Sequence, residues 1–257
     1  MNISLNGKTA LVCGSTAGIG KAIATQLAES GASLILVARN EEKLSALANS
    51  LPGNHKFYIA DFSNTNMVKE VAAKIASENK VDILVNNTGG PPAGPAHKAS
   101  AEEYLSAFNL HLINNQNMTQ AMIPHMQENG FGRIINVIST SVKIPLNGLG
   151  VSNTIRGAVG NWSKTLANEL GGFGITVNNI LPGATATERL SSIITGKSAK
   201  TGKAIEEVEK AMLSEIPAAR FAQPQEPAYA ACFLASDFAA YINGTNVVVD
   251  GGRTGSL

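Results

Sequence analysis

Short, largely apolar runs rich in β-branched residues recur along the chain and predict strands. They lie at Thr9–Cys13, Leu34–Ala38, Phe57–Ala60, Ile83–Asn86, Arg133–Ile138, Thr176–Ile180 and Val247–Val249. Between most of them the apolar positions take a helical period, over Ile19–Glu29, Glu41–Ala48, Met67–Ser77 and Ala101–Met126. Ile155, Val159, Trp162, Leu166 and Leu170 share one face of a further helix. Strands that are apolar at nearly every position must be covered on both sides, so the alternation predicts an α/β fold: a doubly wound parallel sheet with helices on both faces. No repeat or low-complexity tract divides the 257 residues, and one domain spanning 1–257 is expected.

Two stretches break the rhythm. Gly89–Pro95 reads GGPPAGP, which neither a helix nor a central strand accommodates, so it is a loop. Thr185–Glu215 is an insertion with glycines and mixed charges, expected to be a partly helical flap. Both follow strands, and ligands bind at the carboxyl ends of strands in open α/β sheets. Both are therefore candidate walls of a substrate pocket.

Charge and composition remove several classes of function. Twenty basic and nineteen acidic residues leave a formal +1, which gives no electrostatic case for nucleic acid or an anionic membrane. No apolar run reaches the ~20 residues that span a bilayer. Met1–Gly7 has neither the basic flank nor the apolar core of a signal peptide. Cys13 and Cys232 form no disulfide framework and no metal-ligand spacing, and read as small buried apolar residues. A cytoplasmic protein without a metal is expected.

The first strand runs into Gly14-Ser15-Thr16-Ala17-Gly18-Ile19-Gly20 and then a helix. Residues without Cβ let the backbone approach a pyrophosphate, and a helix N-terminus offers free N–H groups. The spacing is G-x-x-x-G-x-G rather than the usual dinucleotide fingerprint, so its weight comes from lying between a strand and a helix. With Asp61 after the third strand, Asn86-Asn87-Thr88-Gly89 after the fourth, Gly132–Asn136, Pro182-Gly183 with Thr187, and Asp250-Gly251-Gly252, the chain resembles the short-chain dehydrogenases/reductases over essentially its whole length.

That resemblance implies a Rossmann-type sheet of seven parallel strands in the order 3-2-1-4-5-6-7, and a homotetramer. It implies that Gly14, Ser15, Gly18, Ile19 and Gly20 lie at the cofactor diphosphate and that Asp61 bonds the adenine. Asn87 and Gly89 would sit beside the adenosine ribose, and Pro182, Gly183 and Thr187 would border the nicotinamide and diphosphate. Each could instead be a turn residue that serves the fold; Asn87, for one, could simply tie the fourth strand to a neighbour. At the end of the second strand, where a carboxylate would select NAD, the chain has Ala38 and then Arg39. A guanidinium suits a 2′-phosphate, so NADP(H) is expected over NAD(H). Against this stands a role for Arg39 as a helix cap or a solvent-facing charge.

The family's catalytic pattern is a Ser, a Tyr-x-x-x-Lys pair beginning thirteen residues later, and an Asn on the preceding long helix. Here Ser139 fits the Ser, while Ser152, Arg156 and His111 occupy the places of Tyr, Lys and Asn; the tyrosines, at 58, 104, 229 and 241, supply no substitute. Arg156 could hold the nicotinamide ribose but cannot pass a proton at neutral pH. A serine hydroxyl is a poor acid beside Tyr. His111, with an ordinary pKa near ~6.5, is the candidate proton donor, although a helical histidine can equally be a packing residue. The expected function is an NADP(H)-dependent oxidoreductase acting on a small carbonyl or alcohol through a non-standard proton donor. The alternative is a cofactor-binding protein without turnover, acting as a redox sensor or partner subunit. Losing general acid catalysis costs about 10²–10⁴ in rate, less than the orientation of two reactants supplies, which favours the enzyme.

Overall fold

All seven apolar runs form strands: β1 (Thr9–Cys13), β2 (Ser33–Ala38), β3 (Lys56–Ile59), β4 (Ile83–Asn86), β5 (Gly132–Val137), β6 (Ile175–Pro182) and β7 (Asn246–Val249). The computed structural model describes residues 2–256. Met1 and Leu257, the outer limits of the expected domain, lie outside the described residues. The strands make one parallel sheet in the order β3-β2-β1-β4-β5-β6-β7.

Successive strand residues point to opposite faces, so β1 sends Ala10 and Val12 to one core and Leu11 and Cys13 to the other. The first face is covered by α1 (Gly18–Glu29), α2 (Glu41–Ser50) and α9 (Gln225–Ala235), through Ile23, Leu27, Leu44 and Leu234. On the second face lie α3 (Thr65–Glu78), α5 (Asn114–Asn129) and α6 (Gly150–Leu170), which contribute Ile75, Met118, Met122 and Leu170. Among the described residues no helix is long and apolar enough to cross a membrane.

Two helical expectations change and a third holds. The single helix expected over Ala101–Met126 is α4 (Ala101–Phe108), a π-helical turn at Asn109–Ile113, and α5. A capping box starts α4: Ser100 Oγ accepts from the Glu103 N–H at 3.3 Å, and Glu103 Oε2 accepts from the Ser100 N–H at 2.8 Å. The π turn adds a residue and re-aims the side chains that follow it, His111 among them. On α6 the buried face carries Ser163 and Ala167, while Trp162 and Leu166 are half-buried. The indole stays at the helix edge because its Nε1 donates to Gln116 Oε1 at 2.8 Å. The segment 185–215 is partly helical, as expected. It holds α7 (Glu188–Thr201) and α8 (Ile205–Leu213), packed through Leu190, Ile194, Val208 and Met212.

Polar residues also thread the buried centre of the sheet. The register places Asn86, Asn136, Asn179 and Asn246 side by side on β4 to β7. Each amide donates to the next: Asn86 Nδ2 to Asn136 Oδ1 at 2.9 Å, Asn136 Nδ2 to Asn179 Oδ1 at 3.0 Å, and Asn179 Nδ2 to Asn246 Oδ1 at 2.8 Å. Thr119 Oγ1 and Ser163 Oγ take further bonds from the amides of Asn86 and Asn136, which ties α5 and α6 to the same row. A buried polar row of this kind fixes register because a slipped strand would strand its amides without partners. Asn136→Ala should therefore lower the unfolding free energy by at least about 2 kcal/mol, measured by urea denaturation. A loss below about 0.5 kcal/mol would show that the row carries little of the stability.

Candidate active site

The nucleotide turn is shaped by close approach. Gly14 and Gly18 have φ of +60° and +52°, which favours glycine at both. A Cβ on Gly14 would lie 2.6 Å from Asn87 O, and one on Gly20 would lie 2.2 Å from Gly14 O. Asn87 Nδ2 donates to both Cys13 O and Gly14 O at 3.2 Å, so it holds the turn from the β4 side. Helix α1 opens at Gly18 with no side-chain cap. Its leading N–H groups are thus left to an anion, and the tight glycine cradle fits a dinucleotide diphosphate. A Cβ at Gly18 would meet Thr187 Cγ2 at 3.2 Å, which places the start of α7 against the turn.

Two of the expected diphosphate residues are packed within the turn. Ser15 is fully buried, with its Oγ on Val37 O at 3.5 Å, and Gly20 is buried in helix packing. Both shape the turn from behind. The side chain of Ile19 packs against the core, leaving only its backbone for a ligand. Gly89 is exposed with open space where a Cβ would stand. Pro182 ends β6, and Gly183 is required by packing, since its Cβ would come within 2.7 Å of Asp250 Cβ. Thr187 caps α7 by accepting from the Leu190 N–H at 3.4 Å.

At the other end of the turn, Arg39 is exposed and is not a helix cap. Asn40 caps α2, its side chain accepting from the Lys43 N–H at 2.8 Å. Asp61 accepts from the Ser63 N–H at 2.9 Å and from Ser63 Oγ at 2.8 Å. Those bonds hold its carboxyl below the ordinary value, with a smaller contribution from Arg39 nearby.

Of the expected catalytic residues, His111 and Arg156 meet the loop that leaves β4. Ser139 lies two residues past β5 and caps a short 3₁₀ turn, its Oγ accepting from the Ser141 N–H at 3.1 Å; the hydroxyl proton remains to be donated. Ser152 and Arg156 are buried one turn apart on α6, and Arg156 Nη1 donates to Val137 O at 3.2 Å. His111, from the π turn, is buried with its Nδ1 at 2.7 Å from Thr88 Oγ1, and its Nε2 has no partner. Arg189, in the first turn of α7, donates from Nη2 to Pro91 O at 2.6 Å. A Cβ at Gly90 would lie 3.3 Å from Arg189 Nη2 and 3.7 Å from Arg156 Nη2, so both guanidiniums reach the same small volume.

This cluster corrects the role expected of His111. Burial first, then the charges of Arg156 and Arg189, push its pKa down to about 3. At neutral pH the ring is uncharged and holds no acidic proton in reserve. Burial and Arg189 likewise push Arg156 down to about 10, which leaves it charged at pH 7. None of the four tyrosines lies on α6. Tyr58 donates to Glu78 at 2.6 Å, Tyr104 packs with Ala107, Val151 and Ile155, and Tyr229 and Tyr241 are exposed. Sequence reasoning missed Thr88 as the partner of His111. It also missed Arg189, although its place two residues past the Pro182-Gly183…Thr187 motif was a usable signal.

Comparison with known proteins identifies the family. The family model described as enoyl-(acyl carrier protein) reductase matches residues 14–254. The chain is 38% identical to D-threitol dehydrogenase of Mycolicibacterium smegmatis, over 97% of this chain and 94% of that protein. It is 34% identical to 3-oxoacyl-[acyl-carrier-protein] reductase of Rickettsia bellii, over 97% of this chain and 98% of that one. The solved structure of L-sorbose reductase from Gluconobacter frateurii, complexed with NADPH and L-sorbose, superposes with a TM-score of 0.93 at 31% identity, covering all of both chains. The chain belongs to the short-chain dehydrogenase/reductase family, whose named members here are NAD(P)-dependent oxidoreductases.

The neutral state of His111 has a measurable consequence. Its pKa lies below the unfolded value, so between the two the unfolded chain binds more protons, and stability falls as pH drops from about 6.5 toward 3. The His111 share of that slope is at most about 1.4 kcal/mol per pH unit. Thermal melts of wild type and His111→Asn across this window should show a shallower acid slope in the variant. Parallel slopes would mean that the histidine titrates normally in the folded protein.

Proposed function

We propose that the protein is an NADP(H)-dependent oxidoreductase that exchanges a hydride with a small carbonyl or alcohol, without a tyrosine as proton donor. The observation that carries this is an intact nucleotide turn in the same sheet as a buried Arg156 bonded to Val137 O, the last residue of β5, two residues before Ser139. The relatives named above are dehydrogenases and reductases, and one is solved with NADPH.

NADP(H), when bound, would supply the two-electron chemistry at the substrate carbon. Gly14 and Gly18 would admit the diphosphate, α1 would present its free N–H groups, and Arg39 would pair with the 2′-phosphate. Ser139 keeps its oxygen on the Ser141 N–H and directs its proton at the substrate oxygen, polarising the carbonyl. Arg156, charged and dry, stabilises negative charge developing on that oxygen and holds the nicotinamide ribose. Neutral His111 can still donate a hydrogen bond from its ring, and Ser152 can orient a water. The proton that completes the alcohol then comes from solvent rather than from a resident acid. A homotetramer is the proposed assembly, in keeping with the closed symmetry common among soluble enzymes.

The reading is tested by binding and turnover together. NADPH should bind more tightly than NADH, and Arg39→Ala should weaken NADPH at least about tenfold while changing NADH little, a charge-assisted bond being worth about 1.5–3 kcal/mol. Ser139→Ala should lower kcat by about 10²-fold on a carbonyl panel with the NADPH Kd unchanged. Wild type that binds NADH more tightly would overturn the cofactor preference. Tight NADPH binding with no turnover of any carbonyl or alcohol would make the chain a binding protein instead.

A further inference from the structure

The two guanidiniums at the loop after β4 have no acid to answer them. Among the described residues the salt bridges join His125 to Asp82, Arg133 to Asp237, Arg220 to Glu226 and Arg253 to Glu215; neither Arg156 nor Arg189 has a carboxylate partner. Arg156 is 9% exposed, and its Nη1 is satisfied by the neutral carbonyl of Val137. Arg189 is anchored by the equally neutral carbonyl of Pro91. Placing like charges this close, one of them dry, is costly unless something negative joins them. Beside them His111, 3% exposed, keeps Nε2 without a partner. Both forks lie against Gly90, where a Cβ would stand 3.3 and 3.7 Å from the two Nη2 atoms, so a side chain there would crowd the guanidiniums.

We propose that Arg189 and Arg156 form a carboxylate-binding subsite, so that the carbonyl or hydroxy compound this protein acts on carries an acid group next to its reacting carbon. This rests on the oxidoreductase reading above and names the substrate class for it. A planar carboxylate offers two oxygens to two forks and neutralises the pair. The cofactor phosphates do not serve here: their cradle is the Gly14–Gly18 turn on the β1 side, whereas the arginines meet over Gly90, beside the β5 end, two residues before Ser139. Arg189 at the mouth captures the anion and Arg156 below fixes it, bringing the adjacent carbon toward the Ser139 hydroxyl. Every other charge on α7 and α8 is bystander to this contact, which explains how a segment of balanced charge can still select an acid.

The test uses the full chain saturated with NADP⁺ and titrated calorimetrically with benzoate and with its neutral counterpart benzamide. Benzoate should bind at least about tenfold more tightly than benzamide, and Arg189→Gln should remove that difference while Arg189→Lys retains part of it. In parallel, kcat/KM with NADPH is measured for 2-oxobutanoate and its methyl ester. The acid-to-ester ratio should fall at least about tenfold in Arg189→Gln. An unchanged ratio, with both compounds reduced, would overturn the subsite and leave the oxidoreductase intact. Benzoate selectivity that is lost in Arg189→Gln, with no turnover of these two compounds or of any in the carbonyl and alcohol panel, would uphold the subsite and overturn the oxidoreductase reading. Equal affinity for benzoate and benzamide in wild type would overturn the subsite outright.

Discussion

Six consecutive residues at the end of β4 set the constraint from which the rest of the site follows. Asn86 starts the buried amide row, and Asn87 holds the nucleotide turn by two bonds to Cys13 and Gly14. Thr88 bonds His111, Gly90 makes room for two guanidiniums, and Pro91 accepts from Arg189. One short stretch thus joins the sheet interior, the cofactor turn, the π turn and α7. Any movement of the loop must break bonds to several elements at once, which is what a site needs if reacting groups are to stay in register.

The electrostatics follow from that arrangement. The loop brings positive charge and a buried ring together and supplies no acid, so the ring is held neutral and the guanidiniums stay charged. A neutral histidine beside two cations is poorly suited to deliver a proton but well suited to donate a hydrogen bond to an anion. The chemistry then relies on placing hydride donor and acceptor and on stabilising developing negative charge, the effects with the largest leverage on rate. The tyrosine's contribution is the smaller one, and the geometry can lose it without losing the reaction.

The sheet was legible because parallel strands buried on both faces announce themselves as apolar runs, and every run became a strand with ends displaced by no more than two residues. The nucleotide turn was legible in outline, but not which members face the ligand. Ser15 and Gly20 sit behind the turn because the chain must pass Val37 and Gly14 at close range, a tertiary fact. The break in the expected long helix was hidden, since a π turn changes periodicity by a single residue and leaves composition untouched. His111 was found by position, yet its protonation depends first on burial and then on the charges of Arg156 and Arg189, which only the packed fold brings beside it.

The central claim is that the β4 loop couples the nucleotide turn to a neutral His111 beside two unpaired guanidiniums. Histidine-selective ¹⁵N NMR addresses it directly, with His111→Asn assigning the signal among those of His55, His97 and His125. The account predicts that the His111 ring keeps a neutral-tautomer spectrum from pH 8 down to about 5, where an ordinary histidine is already charged, and that its shifts move when NADPH binds. A ring that titrates near about 6.5 and does not respond to NADPH would contradict it.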